Sequence, residues 1–208
     1  MRSAKTILFL FLIFILADGL PGRRGIPEET PLKRELLFEN SDFELGDLTN
    51  WKATGNAFAC QPTLGDNPLA RGRGQSAKHQ GDYWIGTFEC YNGISGNPGS
   101  TQGDQSVGTL TSIPFVIKYP LISFLIGGGM EIERINVALL IEDREVLKAT
   151  GRNSSGESQE TMEPEIWSVR EWLGKTARIV IRDLASEPDS WGHINVDYFH
   201  FLILDSTD

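Results

Sequence analysis

The stretch Ile135–Ile141 reads INVALLI, and its apolar side chains include one on every second residue from Ile135. Residues 122–126 (ISFLI) and 177–182 (ARIVIR) show the same period of two. Successive side chains of an extended strand point to opposite faces, so this period places one set of side chains in a core. The three stretches therefore predict β-strands with a buried face.

Further extended stretches occupy much of the chain from residue 35 onward. They are Glu35–Phe38, Trp51–Phe58, Tyr83–Phe88, Val107–Ile117, Glu145–Ala149 and His193–Leu204. Gly, Pro, Asn and Asp lie between them, as turns require. One short helix is predicted at Ser168–Leu173, because Ser168 fits an N-cap and Gly174 follows the last helical residue. About nine strands and one short helix predict an all-β domain, a β-sandwich or jelly roll.

The N-terminal residues follow a different pattern. Two basic residues precede the apolar run Ile7–Leu16, and a small-x-small sequence follows at residues 17–19. This is the pattern of a secretory signal peptide, and the run is about half as long as a bilayer span. An uncleaved membrane anchor is the alternative. We therefore expect a secreted, extracellular protein. Its signal peptide is predicted at residues 1–19, a flexible arm at 20–34 and the folded domain at 35–208.

The charge of the chain excludes one class of partner. Its 208 residues include 28 acidic and 19 basic side chains, so the net charge is −9. Binding to nucleic acid needs a concentrated basic surface, and none is evident. No second apolar stretch approaches the length of a membrane span. We therefore expect neither a nucleic-acid partner nor a membrane span in the mature chain.

Two covalent modifications are predicted from the expected export. Cys60 and Cys90 are the two cysteines of the chain, and a lone pair in an oxidising compartment is expected to form a disulfide. Closing this loop is worth roughly 3–4 kcal/mol in the chain-entropy model, and two buried free thiols are the alternative. Asn153 begins the sequence Asn-Ser-Ser, which makes it a candidate glycosylation site.

The polar segment Gly65–Glu89 has the composition of a sugar-binding site. Planar hydrogen-bonding side chains stand beside aromatic residues there, and a polyhydroxylated ligand needs both. The alternative is an ordered loop whose polar groups only satisfy its own backbone. The predicted ligand-binding residues are Arg71, Arg73, His79, Gln80, Asp82, Tyr83 and Trp84, with a contribution from His193.

A calcium site is predicted where the first and last strands meet. Glu44 lies in the opening segment DFELGDLTNW, and Asp197 lies in the closing segment WGHINVD. Terminal strands of a sandwich usually lie close together, so these carboxylates are expected to bind one structural Ca²⁺ with backbone carbonyls. Solvated acids at strand ends are the alternative.

The quoted segments resemble a known class of module. DFELGDLTNW is similar to the FExGxLxxW opening of galactose-binding-like carbohydrate-binding modules, in which the Glu commonly helps to hold a structural calcium. ARGRGQ, HQGDYWIGTFE, GTLTSIPF, ISFLIGGG, GKTARIVIRD and WGHINVD resemble a module appended to levanase-type enzymes of glycoside hydrolase family 32. The resemblance covers residues 38–201 and implies a jelly-roll accessory module. It implies calcium roles for Glu44 and Asp197, although Tyr198 replaces a second acid that such modules often carry.

The sequence lacks the motifs expected of an enzyme. A nucleophile elbow, a Walker loop, HExxH and paired CxxC are absent, and the Asn-Asp-Pro-Asn and Arg-Asp-Pro segments of the family's catalytic propeller have no counterpart. We therefore expect a noncatalytic module that binds a glycan or a glycosylated matrix component. One alternative is a structural extracellular-matrix or surface protein without a sugar ligand. The other is a small glycoside hydrolase, because acidic residues are plentiful.

Overall fold

The structure is a computed structural model that describes residues 32–152, 160–187 and 191–203. The predicted signal peptide and Asn153 lie outside the described residues. The regular secondary structure of the described part is almost entirely β-strand. Its strands are β1 (Lys33–Leu36), β2 (Trp51–Gly55), β3 (Thr63–Leu64), β4 (Tyr83–Gly86), β5 (Gly108–Ser112), β6 (Phe115–Val116), β7 (Leu121–Gly128), β8 (Ile135–Ile141), β9 (Arg144–Ala149), β10 (Glu163–Ser168), β11 (Thr176–Asp183) and β12 (Ile194–Ile203).

The strands form two antiparallel sheets. One has the order β10-β7-β12-β4-β3, with β1 added beside β12, and the other has the order β2-β5-β11-β8-β9, with β6 added beside β11. Aromatic side chains from both sheets meet in the core: the ring of Trp51 on β2 lies 5.9 Å from that of Phe199 on β12. Phe199 in turn stacks on Phe124 of β7 at 4.9 Å. The predicted all-β sandwich is confirmed.

The pairing of β12 with β4 brings distant parts of the chain to one end of the sandwich. Asn195 pairs with Gly86, and the two strands run antiparallel. The residue just before β12, His193, therefore lies near Phe88 and Glu89, which follow β4. Beyond Asp197 the register of β12 shifts, and its later residues pair with β1 instead of β4.

Helical structure in the described residues is limited to two short elements. The helix α1 (Asn67–Ala70) was not predicted; Asp66 caps it through a bond from the Leu69 amide. The predicted helix at Ser168–Leu173 is only a 3-10 turn at Arg170–Trp172, because Ser168 is the last residue of β10 and makes no capping bond. Neither element is long and apolar enough to cross a membrane.

Candidate functional site

A cavity of about 220 Å³ lies where β4 ends and β12 begins. We call it the His193 cavity. Its lining combines three cationic side chains, two carboxylates and two aromatic rings. The lining residues are Arg71, Arg73, Phe88, Asp104, Glu160, Trp191 and His193.

Arg71 connects two buried carboxylates beside this cavity. Its Nη2 donates to Oε1 of Glu89 at 3.0 Å and to Oε1 of Glu160 at 2.6 Å. The exposed fractions of these two glutamate side chains are 0% and 2%. Buried carboxylates are stable as anions only when they are paired and hydrogen-bonded. Arg71 is therefore the cation that allows both acids to be buried at this end of the sandwich.

His193 lies between two further carboxylate contacts. Its Nδ1 is 2.8 Å from Oδ1 of Asp104, and its Nε2 is 3.6 Å from Oε2 of Glu160. Burial disfavours the charged imidazolium, but the bond to Asp104 and the charge of Glu160 outweigh it and raise the pKa of His193 to about 9. The ring is thus a cation at neutral pH. Its Nε2 is buried and has no hydrogen-bond partner within the described residues.

The pKa values of the two glutamates beside Arg71 shift in opposite directions. Burial opposes ionisation of Glu160, yet the neighbouring His193 and Arg71 lower its pKa to about 2. Burial also acts on Glu89, and there it outweighs the bonds from Arg71 and Asn67, so that the pKa of Glu89 is raised. Glu160 is therefore ionised across the neutral range.

Two aromatic rings contact His193. The ring centroids of Phe88 and Trp191 lie 5.2 Å and 5.3 Å from that of His193. An arginine guanidinium lies over each of the two rings. The guanidinium carbon of Arg71 is 5.0 Å from the centroid of Phe88, and that of Arg73 is 5.4 Å from the centroid of Trp191. In such a site the rings can contact the C–H face of a sugar, and the neighbouring polar groups can bind its hydroxyls.

Neighbouring loops fix the segment that carries Glu89. The Gln61 amide donates to the carbonyls of Gly86 and Glu89 and accepts from the Gly86 amide. Asn67 donates to Oε2 of Glu89 at 2.6 Å. Cys60 and Cys90 form the predicted disulfide, which joins the residue before Gln61 to the residue after Glu89.

The structure brings together three of the predicted ligand-binding residues, namely Arg71, Arg73 and His193. Trp84, in contrast, is fully buried against Ala77 and Met162, so its ring does not provide the accessible stacking surface that we expected. The physical reason is that Ala77, Met162 and His79 pack over the face of the sheet from which the Trp84 ring projects. His79 stacks on the buried Trp84 ring at 6.1 Å and does not line the cavity.

The predicted residues Gln80, Asp82 and Tyr83 lie in a different place, beside the two acids proposed for calcium. Both oxygens of Glu44 accept from the Asp82 amide, and one also accepts from that of Tyr83. Oδ2 of Asp197 accepts from the Gln80 amide at 2.7 Å. We call Glu44 and Asp197 the acidic pair. They lie close enough for the charge of Glu44 to raise the pKa of Asp197.

The acidic pair fits a cation only in part. Oδ1 of Asp197 is buried without a hydrogen-bond partner, as a metal ligand would be before binding. The oxygens of Glu44 are instead occupied by backbone amides. Across residues 32–152, 160–187 and 191–203, no group of three or more His, Cys, Asp or Glu is arranged to hold a metal ion.

Four lining residues of the cavity were not predicted. Phe88 and Trp191 stand inside the segments HQGDYWIGTFE and WGHINVD, whose aromatic content was a usable signal. Asp104 and Glu160 lie in polar loops that carry no pattern. Their contacts with His193 or Arg71 span 89 residues of sequence, so only the fold brings them together.

Comparison with known proteins gives one relative by sequence. No protein-family model matches the chain. A protein of Aspergillus rugulosus named "Putative glycosyl hydrolase ecdE" is 34% identical over 170 residues, which are 80% of this chain and 21% of that protein. The chain thus spans about a fifth of the relative's length.

Solved structures give more distant similarities. The module TmCBM61, solved in complex with β-1,4-galactotriose, is 16% identical with a TM-score of 0.48, and the match covers 81% of this chain and 99% of that one. The K1 cleaved adhesin domain of Lys-gingipain from Porphyromonas gingivalis W83 is 12% identical with a TM-score of 0.42, over 82% and 97% of the two chains.

The sequence relative corrects one expectation. The missing catalytic motifs led us to expect that the chain is not an enzyme. That expectation is contradicted, because the relative that matches 80% of the chain is named a glycosyl hydrolase.

Proposed function

We propose that this protein is a secreted carbohydrate-binding domain and that the His193 cavity holds the sugar. The observation that carries the proposal is the contact of two aromatic rings, Phe88 and Trp191, with a buried and charged His193. Rings offer a surface for the apolar face of a sugar, while fixed polar groups select its hydroxyls.

Two further observations support the same proposal. The relative of Aspergillus rugulosus is named for an activity on glycosidic bonds. The resemblance to the levanase-appended module, which rests on the segments quoted above, also implies a carbohydrate ligand. Phe88, Trp191 and His193 all lie in these segments.

The proposal is tested by screening the purified protein on a glycan array and measuring each hit by calorimetry. Trp191→Ala should lower the affinity at least about 30-fold, because aromatic residues at the centre of a binding site commonly contribute 2 kcal/mol or more. Tyr198→Ala is the matched control: this half-buried aromatic ring lies outside the His193 cavity and should leave binding unchanged.

Three results would contradict the proposal. Absence of binding across fructans, glucans, galactans and sulfated polysaccharides would favour a structural protein without a sugar ligand. Equal affinities of the Trp191→Ala variant and the wild type would place the sugar elsewhere on the domain. Loss of binding in the Tyr198→Ala variant alone would have the same consequence.

A second candidate is hydrolysis of a glycosidic bond in the same cavity. Its specific support is the name of the sequence relative together with two carboxylates, Asp104 and Glu160, that line the cavity. Most glycosidases use a pair of acids. Glu160 is ionised at neutral pH, and the neighbouring His193 carries a proton. The cavity therefore contains both an ionised carboxylate and a proton donor.

Turnover distinguishes the second candidate from binding alone. Each glycan that binds is incubated with the protein, and released reducing sugar is measured against buffer. Hydrolysis at this cavity predicts release that Glu160→Gln abolishes while the melting curve still shows a folded protein. A wild-type protein that binds a glycan and releases nothing from it would rule out hydrolysis of that glycan.

We also propose one structural Ca²⁺ at the acidic pair. The support is the free buried oxygen of Asp197, the nearby charges of Glu44 and Asp42, and the resemblance of the opening segment to calcium-binding modules. Calcium prefers oxygen ligands and accepts backbone carbonyls among them. When bound, it would supply the positive charge that this part of the domain lacks.

A further inference from the structure

We infer that the His193 cavity takes one neutral sugar residue at the end of a glycan and not a segment within a chain. This inference rests on the proposed function and specifies its ligand. The volume is the first argument. At about 220 Å³ the cavity is smaller than the roughly 300–1,000 Å³ of pockets that enclose drug-sized ligands. One sugar ring suits this space, and two linked rings do not.

The inner end of the cavity is the second argument. Its side chains are those of Asp104, Glu160 and His193, which are 8%, 2% and 3% exposed. His193 contacts both of the other two, so the three buried side chains form a connected floor. Arg73, at 32%, and the half-buried Trp191 are the more exposed lining residues. A sugar inside must therefore leave through the opening by which it entered.

The connectivity of glycans turns this shape into specificity. A sugar within a linear chain carries a glycosidic bond on two sides, so both neighbours must have room. A terminal sugar carries only one bond, which can point out of the opening. The His193 cavity offers space on one side alone and so admits chain ends.

Hydrogen-bonding groups indicate what the terminal sugar must present. Nε2 of His193 is buried and makes no hydrogen bond to any described residue, because Oε2 of Glu160 lies 3.6 Å away, whereas its Nδ1 is bonded to Asp104. A doubly protonated ring donates from both nitrogens, so Nε2 needs an acceptor such as a sugar hydroxyl oxygen. Arg73 is held only loosely, with its Nε 3.7 Å from Glu160, and supplies further donors near the opening.

The charges around the cavity favour a neutral sugar. The three cations Arg71, Arg73 and His193 stand against three carboxylates, and every one of these carboxylates contacts at least one of the cations. Each cation thus has a carboxylate partner, so no unpaired positive charge is left for a uronate or a sulfate. A charged sugar would also disturb the pairing that keeps the buried acids ionised.

The length dependence of binding tests the inference without any variant. Titrations use a methyl glycoside, the disaccharide and longer oligosaccharides of the sugar found on the array. The methyl glycoside should bind within about fivefold of the longest oligosaccharide, because added residues contact only the outer residues of the cavity. The corresponding methyl uronate should bind at least about tenfold more weakly, since its charge finds no unpaired cation.

The outcomes separate this inference from the proposed function. If the longer oligosaccharides bound at least about 100-fold more tightly than the methyl glycoside, recognition of a chain end would be overturned, while carbohydrate binding itself would stand. A methyl uronate that binds better than its neutral counterpart would overturn the preference for a neutral sugar. Failure of every carbohydrate on the array would instead remove the proposed function itself.

Discussion

The His193 cavity and the acidic pair both bury carboxylates, but the two regions stabilise them differently. At the cavity, Arg71 and His193 contact Glu160, and its pKa falls to about 2 in spite of burial. Asp197 of the acidic pair contacts only backbone amides. Burial and then the negative charges of Glu44 and Asp42 raise its pKa well above the ordinary range. Glu160, which contacts two cations, therefore ionises easily, whereas ionisation of Asp197, which contacts none, is disfavoured.

Removal of Arg71 should give the largest effect, because it would make the cavity resemble the acidic pair. In Arg71→Met, Glu89 and Glu160 lose the cation they share, and breaking a buried pair from one side costs about 3–5 kcal/mol. Thermal unfolding should show a fall in Tm of roughly 10 °C.

The matched control for this change is Arg152→Met. Arg152 pairs with Glu163 on the surface, where exposed ion pairs contribute about 0–1 kcal/mol, so its Tm should hardly move. If the two variants melted at the same temperature, burial of the carboxylates would not depend on Arg71.

Calcium should stabilise the acidic pair, because it would supply the cation that these two carboxylates lack. A free Ca²⁺ concentration 100-fold above its Kd should add about 2.7 kcal/mol to the free energy of unfolding. Differential scanning fluorimetry should show a rise in Tm that EDTA reverses and that Asp197→Asn removes.

Asp183 provides a matched control for calcium. It is also buried, its Oδ1 also lacks a partner within the described chain, and burial raises its pKa to about 7, but it lies on β11. Asp183→Asn should keep the rise in Tm. A wild-type protein whose Tm ignores calcium would contradict the calcium proposal.

A smaller difference should appear in the pH dependence of stability. The pKa of His193 is raised from 6.5 to about 9, so its contribution is complete below pH 6.5 and is lost as the pH rises through 9. His193→Gln should therefore lose less stability than the wild type between pH 7 and pH 10 in urea unfolding.

His200→Gln checks the sign of this prediction. Burial lowers the pKa of His200, so its neutral form is favoured and stability is lost as the pH falls below 6.5. This variant should change the acidic side of the profile and leave the alkaline side as in the wild type. Identical profiles of the His193→Gln variant and the wild type above pH 7 would show that His193 is neutral there.

The strands that carry a strong period of two could be predicted from the sequence. The stretch INVALLI predicts a strand with the same bounds as β8, Ile135–Ile141. The strand β10 was missed because EPEIWS contains Pro164 and two acids, which are tolerated at the edge of a sheet, where β10 lies. An edge strand needs no continuous apolar face, so its sequence carries a weaker signal.

The candidate site could be predicted only in part. Arg71, Arg73 and His193 were identified by residue type, and all three line the cavity. The polar residues around Trp84 in sequence predict an accessible ring, but its burial is decided by Ala77 and Met162, which pack against it in the fold. The partners of Arg71 and His193 depend on contacts across 89 residues, which no local pattern encodes.

The disulfide between Cys60 and Cys90 has a consequence for how this domain withstands proteolysis. The covalent loop that it closes contains β3, β4, α1, and the residues Arg71, Phe88 and Glu89. β3 is the outermost strand of its sheet, and the disulfide joins the two ends of the loop. A single proteolytic cut between residues 61 and 89 would therefore leave the two fragments covalently joined beside the cavity.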